Sequence, residues 1–264
     1  MTSMQTYIVC ATMRSGSSLL CNLLQKTRCA GEPREFLRDY LRGDIQISDS
    51  EYIEFVEQKM LGSASSNGVS GVKLMWWNID LLLKRLRNAA SPSEALTERE
   101  LLGQVFPNTK FIFITRRNKL AQAISLCRAE RTKTWTKNRN EIKDFSLPRI
   151  TNFHIDRNLK LIESWESAWQ EFFRKNSIDV YTVVYEDLIS DYRTNLSGVL
   201  KFLGILEQID KIPVPDLEKQ ADFYSYILVT QYRLYLALIG ILPSSFICWL
   251  RDFKLKIKRV IPSG

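Results

Sequence analysis

The sequence predicts an α/β fold, a mostly parallel central sheet flanked by helices on both faces, with a helical C-terminal extension. Three observations predict it. Four short runs rich in β-formers, residues 7–10, 71–76, 110–115 and 180–184, alternate with stretches of helical periodicity. Strands that alternate with helices pair in parallel and are covered on both faces. The first run passes through a small-residue loop, Ala11-Thr12-Met13-Arg14-Ser15-Gly16-Ser17-Ser18, into Leu19, Leu20, Leu23 and Leu24 at helical spacing.

That loop is the first candidate site. A helix N-terminus after a strand presents N–H donors and a positive dipole end to an oxyanion. Gly16 lets backbone approach a ligand, and Arg14 adds a fixed charge with a fork of donors. The loop lacks the first Gly and the Lys of a nucleotide P-loop, which argues against an ordinary ATPase or kinase.

Size and composition bound the rest. The 264 residues suit one large domain, or a domain (1–233) with an extension (234–264). Hydrophobic residues make up 45%, enough for a sizeable core. The net charge of +8 and pI near 9.2 suit an acidic ligand or an anionic surface. No nucleic-acid motif accompanies the charge, so no nucleic-acid partner is expected. Five cysteines form no Cys-x-x-Cys pair, and four of them, in apolar or helical contexts, read as reduced core residues. His154 is the sole histidine, which excludes a multi-His metal site. No basic region precedes an apolar run at the N-terminus. No signal peptide is therefore expected, and a cytoplasmic location is.

The segment Cys29-Ala30-Gly31-Glu32-Pro33-Arg34-Glu35-Phe36 reads as a loop beside the ligand crevice, with two carboxylates, Glu32 and Glu35. A helix over about 50–61 and a Ser/Gly/Asn-rich connector over 62–68 lead to the second strand. Helices over 79–86 and 97–106 precede residues 110–115, the clearest buried strand. It ends in Arg116-Arg117-Asn118, where α/β folds bind ligands, and Ser125 lies two turns into the following helix, 119–130. Residues 131–150 are basic and poorly patterned, as in a long loop. Ile155, Leu159, Ile162, Trp169 and Phe173 form a core-facing helical stripe. The fourth strand ends in Tyr185-Glu186-Asp187-Leu188, and a helix over 195–203 is stopped by Gly204. The tail joins an apolar run, 234–250, to the basic cluster 251–259. Pro243 breaks the run short of a membrane span, so it is expected to pack on the core, in an oligomer interface or against the inner face of a membrane.

Taken together, the segments resemble the bacterial sulfotransferase family typified by the mycobacterial trehalose 2-sulfotransferase. The pieces are residues 13–20, Gly31-Glu32-Pro33-x-Glu35-Phe36, Gly71-x-Lys73-Leu74-Met75-Trp76, Arg116 with residues 122–125 and 128–129, Tyr185-Glu186-Asp187-Leu188, and Lys219-Gln220-Ala221-Asp222. The resemblance implies the phosphate-loop-like fold of sulfotransferases that use 3′-phosphoadenosine 5′-phosphosulfate as co-substrate, with a carbohydrate or glycolipid acceptor and no metal. It implies that Ser15, Gly16, Ser17 and Ser18 hold the 5′-phosphosulfate and that Arg14 stabilises charge on the bridging oxygen. Arg116 and Ser125 would hold the 3′-phosphate, with Arg117 the rival arginine, and Glu35 would be the general base, with Glu32 the alternative. A homodimer is allowed. This chain departs from the pattern at Trp77, at Arg117 and in its tail. The competing classes are a magnesium- and ATP-dependent small-molecule kinase and a non-catalytic anion- or membrane-binding adaptor.

Overall fold

The computed structural model describes residues 4–38, 47–89, 96–135, 150–205 and 223–241. The motif at 219–222, most of the basic segment 131–150 and the tail from 242 onward lie outside the described residues. Four strands, β1 (Gln5–Ala11), β2 (Val69–Met75), β3 (Lys110–Thr115) and β4 (Val180–Val184), form one parallel sheet in the order β2-β1-β3-β4. The helices among the described residues are α1 (Ser17–Lys26), α2 (Asp49–Gly62), α3 (Trp76–Ala89), α4 (Glu98–Val105), α5 (Lys119–Thr132), α6 (Asn152–Lys175), α7 (Tyr185–Ser190), α8 (Tyr192–Leu203) and α9 (Phe223–Ile241).

β1 and β3, the interior strands, are buried along nearly their whole length because both of their faces are covered, while the edge strand β4 is only partly buried. Successive side chains alternate between two cores. Ile8, Cys10, Val72, Leu74, Phe111 and Phe113 face α2, α3, α4 and the aromatic end of α6. Tyr7, Val9, Ala11, Ile112, Ile114 and Val183 face α1 and α8. A third cluster joins α5, α6 and the buried side of α9 through Ala123, Ile124, Ile155, Ile162, Leu228 and Tyr232. The stripe predicted on α6 is core as expected, with Ile155, Ile162, Trp169 and Phe173 buried.

Several boundaries move for local reasons. Trp76, expected as the last residue of the second strand, instead opens α3, so strand and helix join without a loop. Tyr185 to Leu188, expected at a strand end, form the start of the short helix α7. Helix α8 begins at Tyr192 rather than Asn195, because Asp191 accepts a hydrogen bond from the Thr194 amide at 3.0 Å and caps it. Its left-handed stop at Gly204 is as expected. Two helices carry reciprocal capping boxes, Ser48 with Glu51 on α2 and Thr97 with Glu100 on α4.

Helix α9 buries Leu228 and Tyr232 and exposes Tyr226, Ile227, Leu234, Leu236 and Leu238. Among the described residues, no helix is long and apolar enough to cross a membrane.

Candidate active site

The chain runs from β1 to β2 on one side of the sheet and then to β3 on the other side of β1. The carboxyl ends of β1 and β3 are therefore the point where strand order reverses, and such points open a crevice for ligands. The loop at 12–16 and the turn at 116–118 both lie there.

The first loop is held from three directions. Gln122 of α5 donates from Nε2 to Thr12 Oγ1 at 3.0 Å and to the Met13 carbonyl at 2.8 Å. Trp169 of α6 donates its indole N–H to the Ala11 carbonyl at 3.0 Å. Tyr185 packs its ring against Gly16, whose φ of +96° is left-handed. Among the described residues no side chain caps α1 at Gly16; the Leu19 amide turns back to the Gly16 carbonyl at 3.0 Å, and a helix start without a capping side chain suits an oxyanion. The buried Ser15 hydroxyl has no hydrogen-bond partner among the described residues.

Arg14 also has a positive φ, 61°, an uncommon backbone for an arginine. Its Nε donates to Ser125 Oγ at 3.0 Å, and one terminal nitrogen donates to the Trp135 carbonyl. Burial, with neighbouring Arg116 next and Arg128 contributing, lowers its guanidinium to about 10, against a raising influence from Tyr185. It remains a cation at neutral pH, but one crowded by like charge. An anion placed among these arginines relieves that crowding.

The two arginines after β3 part company. The Arg116 side chain is only 13% exposed; its guanidinium stacks 4.8 Å from the Tyr185 ring centroid, and Nε lies 3.7 Å from Glu186 Oε1. That is an ion pair too long for a hydrogen bond, and Arg116 Nε has no hydrogen-bond partner among the described residues. Arg117 is 64% exposed and turns outward to a two-oxygen contact with Asp187, at 2.9 and 3.1 Å. Glu186 fixes the turn by accepting from the Arg117 and Asn118 amides at 2.8 and 3.0 Å. Asn118 in turn caps α5 through the Ala121 amide. Ser125 faces back to the strand end, as expected from its position two turns into the helix, and there meets Arg14.

The segment after α1 is positioned by Gly31, whose φ is +69°; a β-carbon there would stand 2.8 Å from the carbonyls of Ser63 and Val69. The chain then runs beside β2, where Arg34 bridges to Val72 and the Lys73 amide donates to the Arg34 carbonyl at 3.0 Å. This bridge separates the two candidate carboxylates. Glu32 turns to solvent and pairs with Arg34 at 2.7 Å. Glu35 turns inward, its Oε1 2.7 Å from the ammonium of Lys73. Lys73 is 8% exposed and also donates to Ser18 Oγ at 3.4 Å, which links Glu35 to the first turn of α1.

Sequence reasoning assigns Lys73 no role. Its signal was a single charge in the strand Val69–Met75, which is otherwise without one and is buried along its length. Glu166 was likewise hidden inside an apolar stripe. It lies 2.5 Å from Lys119 and accepts from Thr115 Oγ1 at 2.8 Å, tying α6 to the end of β3. Beyond β2, Trp77 and Trp165 form a tilted ring pair with centroids 5.1 Å apart. His154 sits in the capping box of α6, its Nε2 2.6 Å from an Arg131 nitrogen.

A family model described as Stf0 sulphotransferase matches residues 6–234. The chain belongs to this sulfotransferase family. It is 28% identical to the trehalose 2-sulfotransferase of Mycobacterium tuberculosis, over 88% of this chain and 95% of that protein. It is 26% identical to the trehalose 2-sulfotransferase of Mycolicibacterium smegmatis, over 86% and 94% respectively. A solved sulfotransferase from Alicyclobacillus acidocaldarius aligns over 92% of this chain and 99% of that one, with a TM-score of 0.40 and 12% identity. Membership of this family makes the protein a sulfotransferase enzyme; its fold is α/β with a parallel sheet. Among the described residues of this sulfotransferase, no group of three His, Cys, Asp or Glu side chains is placed to hold a metal ion.

Proposed function

We propose that this sulfotransferase moves a sulfuryl group from 3′-phosphoadenosine 5′-phosphosulfate to a hydroxyl of a carbohydrate or glycolipid, by in-line displacement with Glu35 as general base. The observation that carries this reading is the meeting of two elements at one helix start. Arg14, with Arg116 of the turn after β3 near it, lies just before the N-terminus of α1, and Glu35 reaches the first turn of that helix through Lys73 and Ser18. An in-line transfer requires a base at the nucleophile and positive charge around the leaving phosphate. The carbohydrate acceptor is drawn from the two mycobacterial relatives, both of which are trehalose 2-sulfotransferases.

The residues present fit the donor. The loop at Ser15, Gly16, Ser17 and Ser18, with an unpartnered buried hydroxyl and uncapped helix amides, suits the phosphosulfate. Arg14 serves the bridging oxygen. Arg116 and Ser125 serve the 3′-phosphate, because Arg116 lies close enough to Arg14 to lower its guanidinium and has an Nε without a partner among the described residues, while Arg117 is engaged with Asp187. Glu35 takes the acceptor proton, and Glu32, paired outward with Arg34, does not.

The extension from Leu234 makes a contact outside the domain, with a second copy or with the inner face of a membrane. The exposed Leu234, Leu236 and Leu238 and the basic sequence 251–259 support this. Removing residues 234–264 should shift the protein between membrane and supernatant fractions, or change its oligomeric state.

The deciding experiment is calorimetric titration with adenosine 3′,5′-bisphosphate, with magnesium withheld and ATP as control. Bisphosphate binding weakened by Arg116→Ala supports the donor site. Binding that prefers ATP and requires magnesium sinks it and favours a kinase.

A further inference from the structure

The Lys73–Glu35 pair is unusual in its placement. An ammonium in the middle of a parallel strand is buried to 8% exposure and holds the proposed base at 2.7 Å, and the same ammonium reaches Ser18 Oγ of the donor loop at 3.4 Å. A lysine that served only to neutralise a carboxylate would have no reason to lie between that carboxylate and the helix start.

We infer that Lys73 is a catalytic cation whose charge is masked by Glu35 before reaction and unmasked by the reaction itself. The inference rests on the reading of Glu35 as base and of the loop as the site of a sulfated donor. With Glu35 ionised, the pair is neutral. The acceptor O–H proton passes to a Glu35 oxygen as the acceptor oxygen forms its bond to sulfur and the sulfur–bridging-oxygen bond breaks. The electron pair of that bond leaves with the phosphate. The Glu35–Lys73 pair then carries a net charge of +1, gained while the sulfuryl oxygens, which carry negative charge throughout, pass from the phosphate to the acceptor oxygen. A buried ammonium whose partner has been neutralised is under strong demand for a new anion. Ser18 marks the direction in which one lies. Charge stabilisation that arises only as the proton moves favours the transition state over the bound substrates, which is the condition for raising kcat.

Glu35→Gln makes the unmasked state permanent, because the amide cannot neutralise Lys73. In the absence of acceptor, this variant should bind 3′-phosphoadenosine 5′-phosphosulfate on the order of tenfold more tightly than the wild type. Adenosine 3′,5′-bisphosphate, which lacks the sulfuryl group, should show little gain. Adding Lys73→Met or Lys73→Gln to Glu35→Gln should return the sulfated donor to wild-type affinity. Calorimetry on folded protein, verified by thermal melting, reads all of these. A lysine that only supports structure gives a Glu35→Gln variant with unchanged affinity for the sulfated donor, and that result overturns the inference. An equal gain for both ligands also overturns it, since the cation would then act on phosphate. If the wild type binds neither ligand, the donor reading itself has failed. If it binds both and Glu35→Gln changes neither, only this inference has.

Discussion

The ring of Tyr185 occupies the space where a side chain on Gly16 would begin: a β-carbon built on Gly16 stands 2.3 Å from Tyr185 Cδ2. The two residues are 169 positions apart, and their packing fixes the loop at 12–16 against the end of β4 (185 − 16 = 169). Gly16→Ala should therefore fail twice, through the φ of +96° and through the ring. We expect a loss of about 1–3 kcal/mol in stability, read by thermal melting, together with weakened bisphosphate binding. Tyr185→Ala in the same background should restore part of the stability, since it removes the clash and leaves the backbone strain. Wild-type melting for Gly16→Ala would show that ring and loop can part at no cost.

Arg14 is tethered to Ser125 through Nε, and a lysine has no nitrogen in that position. Arg14→Ala should lower kcat by roughly 10²- to 10³-fold, as removal of a preorganised charge at a leaving group does. Arg14→Lys should recover little of it, because a point charge does not reproduce the fork. Steady-state kinetics separate these outcomes, and a full recovery by lysine would show that charge alone suffices.

The neighbouring arginines should separate cleanly. Arg116→Ala is expected to weaken bisphosphate binding by about 10- to 100-fold, the effect of deleting one charge-assisted hydrogen bond to an anion in a largely buried site. Arg117→Ala removes a surface pair with Asp187 and should change stability by less than about 1 kcal/mol and leave affinity as it was. The reverse pattern in a titration would give the 3′-phosphate to Arg117.

Glu186 predicts a pH dependence. Burial works against its charged form, but the amides of Asn118 and Arg117, with Arg116 nearby, outweigh burial and hold its carboxyl below the usual carboxylate range. A carboxylate depressed in the fold contributes stability above its unfolded value, and that contribution is lost as pH falls through the folded value. Glu186→Gln should thus melt earlier than wild type at neutral pH, with the gap closing as the solution is acidified below about pH 4. A gap that stays constant with pH would assign the effect of Glu186 to packing rather than charge.

Much of this site is legible in the sequence. The strand-loop-helix at 7–24 and the arginines after 110–115 lie where local pattern and the rule for α/β crevices place them, and both motifs are continuous in sequence. Lys73 is not legible in the same way. It sits in a strand distinguished only by that one charge, and nothing local says that Glu35, 38 positions earlier, returns to meet it (73 − 35 = 38). The choice between Glu32 and Glu35, and between Arg116 and Arg117, turns on side-chain direction set by a one-residue bridge and by a carboxylate from α7. Such directions come from tertiary pairing. The early start of α3 at Trp76 escapes sequence reasoning because a buried strand and a buried helix share the same apolar composition where no turn residue separates them.

The central place of β1 also orders events in time. Tyr7 pairs with both Gly71 and Lys110, so the first strand has no complete pair of neighbours until residues past 110 are available. On a ribosome adding about 5–20 residues per second, that is a wait of roughly 5–20 s. During it an interior strand of the sheet has an open edge, and the loop of Arg14 has no Gln122 to hold it. Pairings this distant in sequence make folding slow. The loop at 12–16 is thus among the first parts of the protein to be synthesised and among the last to acquire its shape. A nascent chain stopped short of α5 would hold that loop without the Gln122 contacts that shape it.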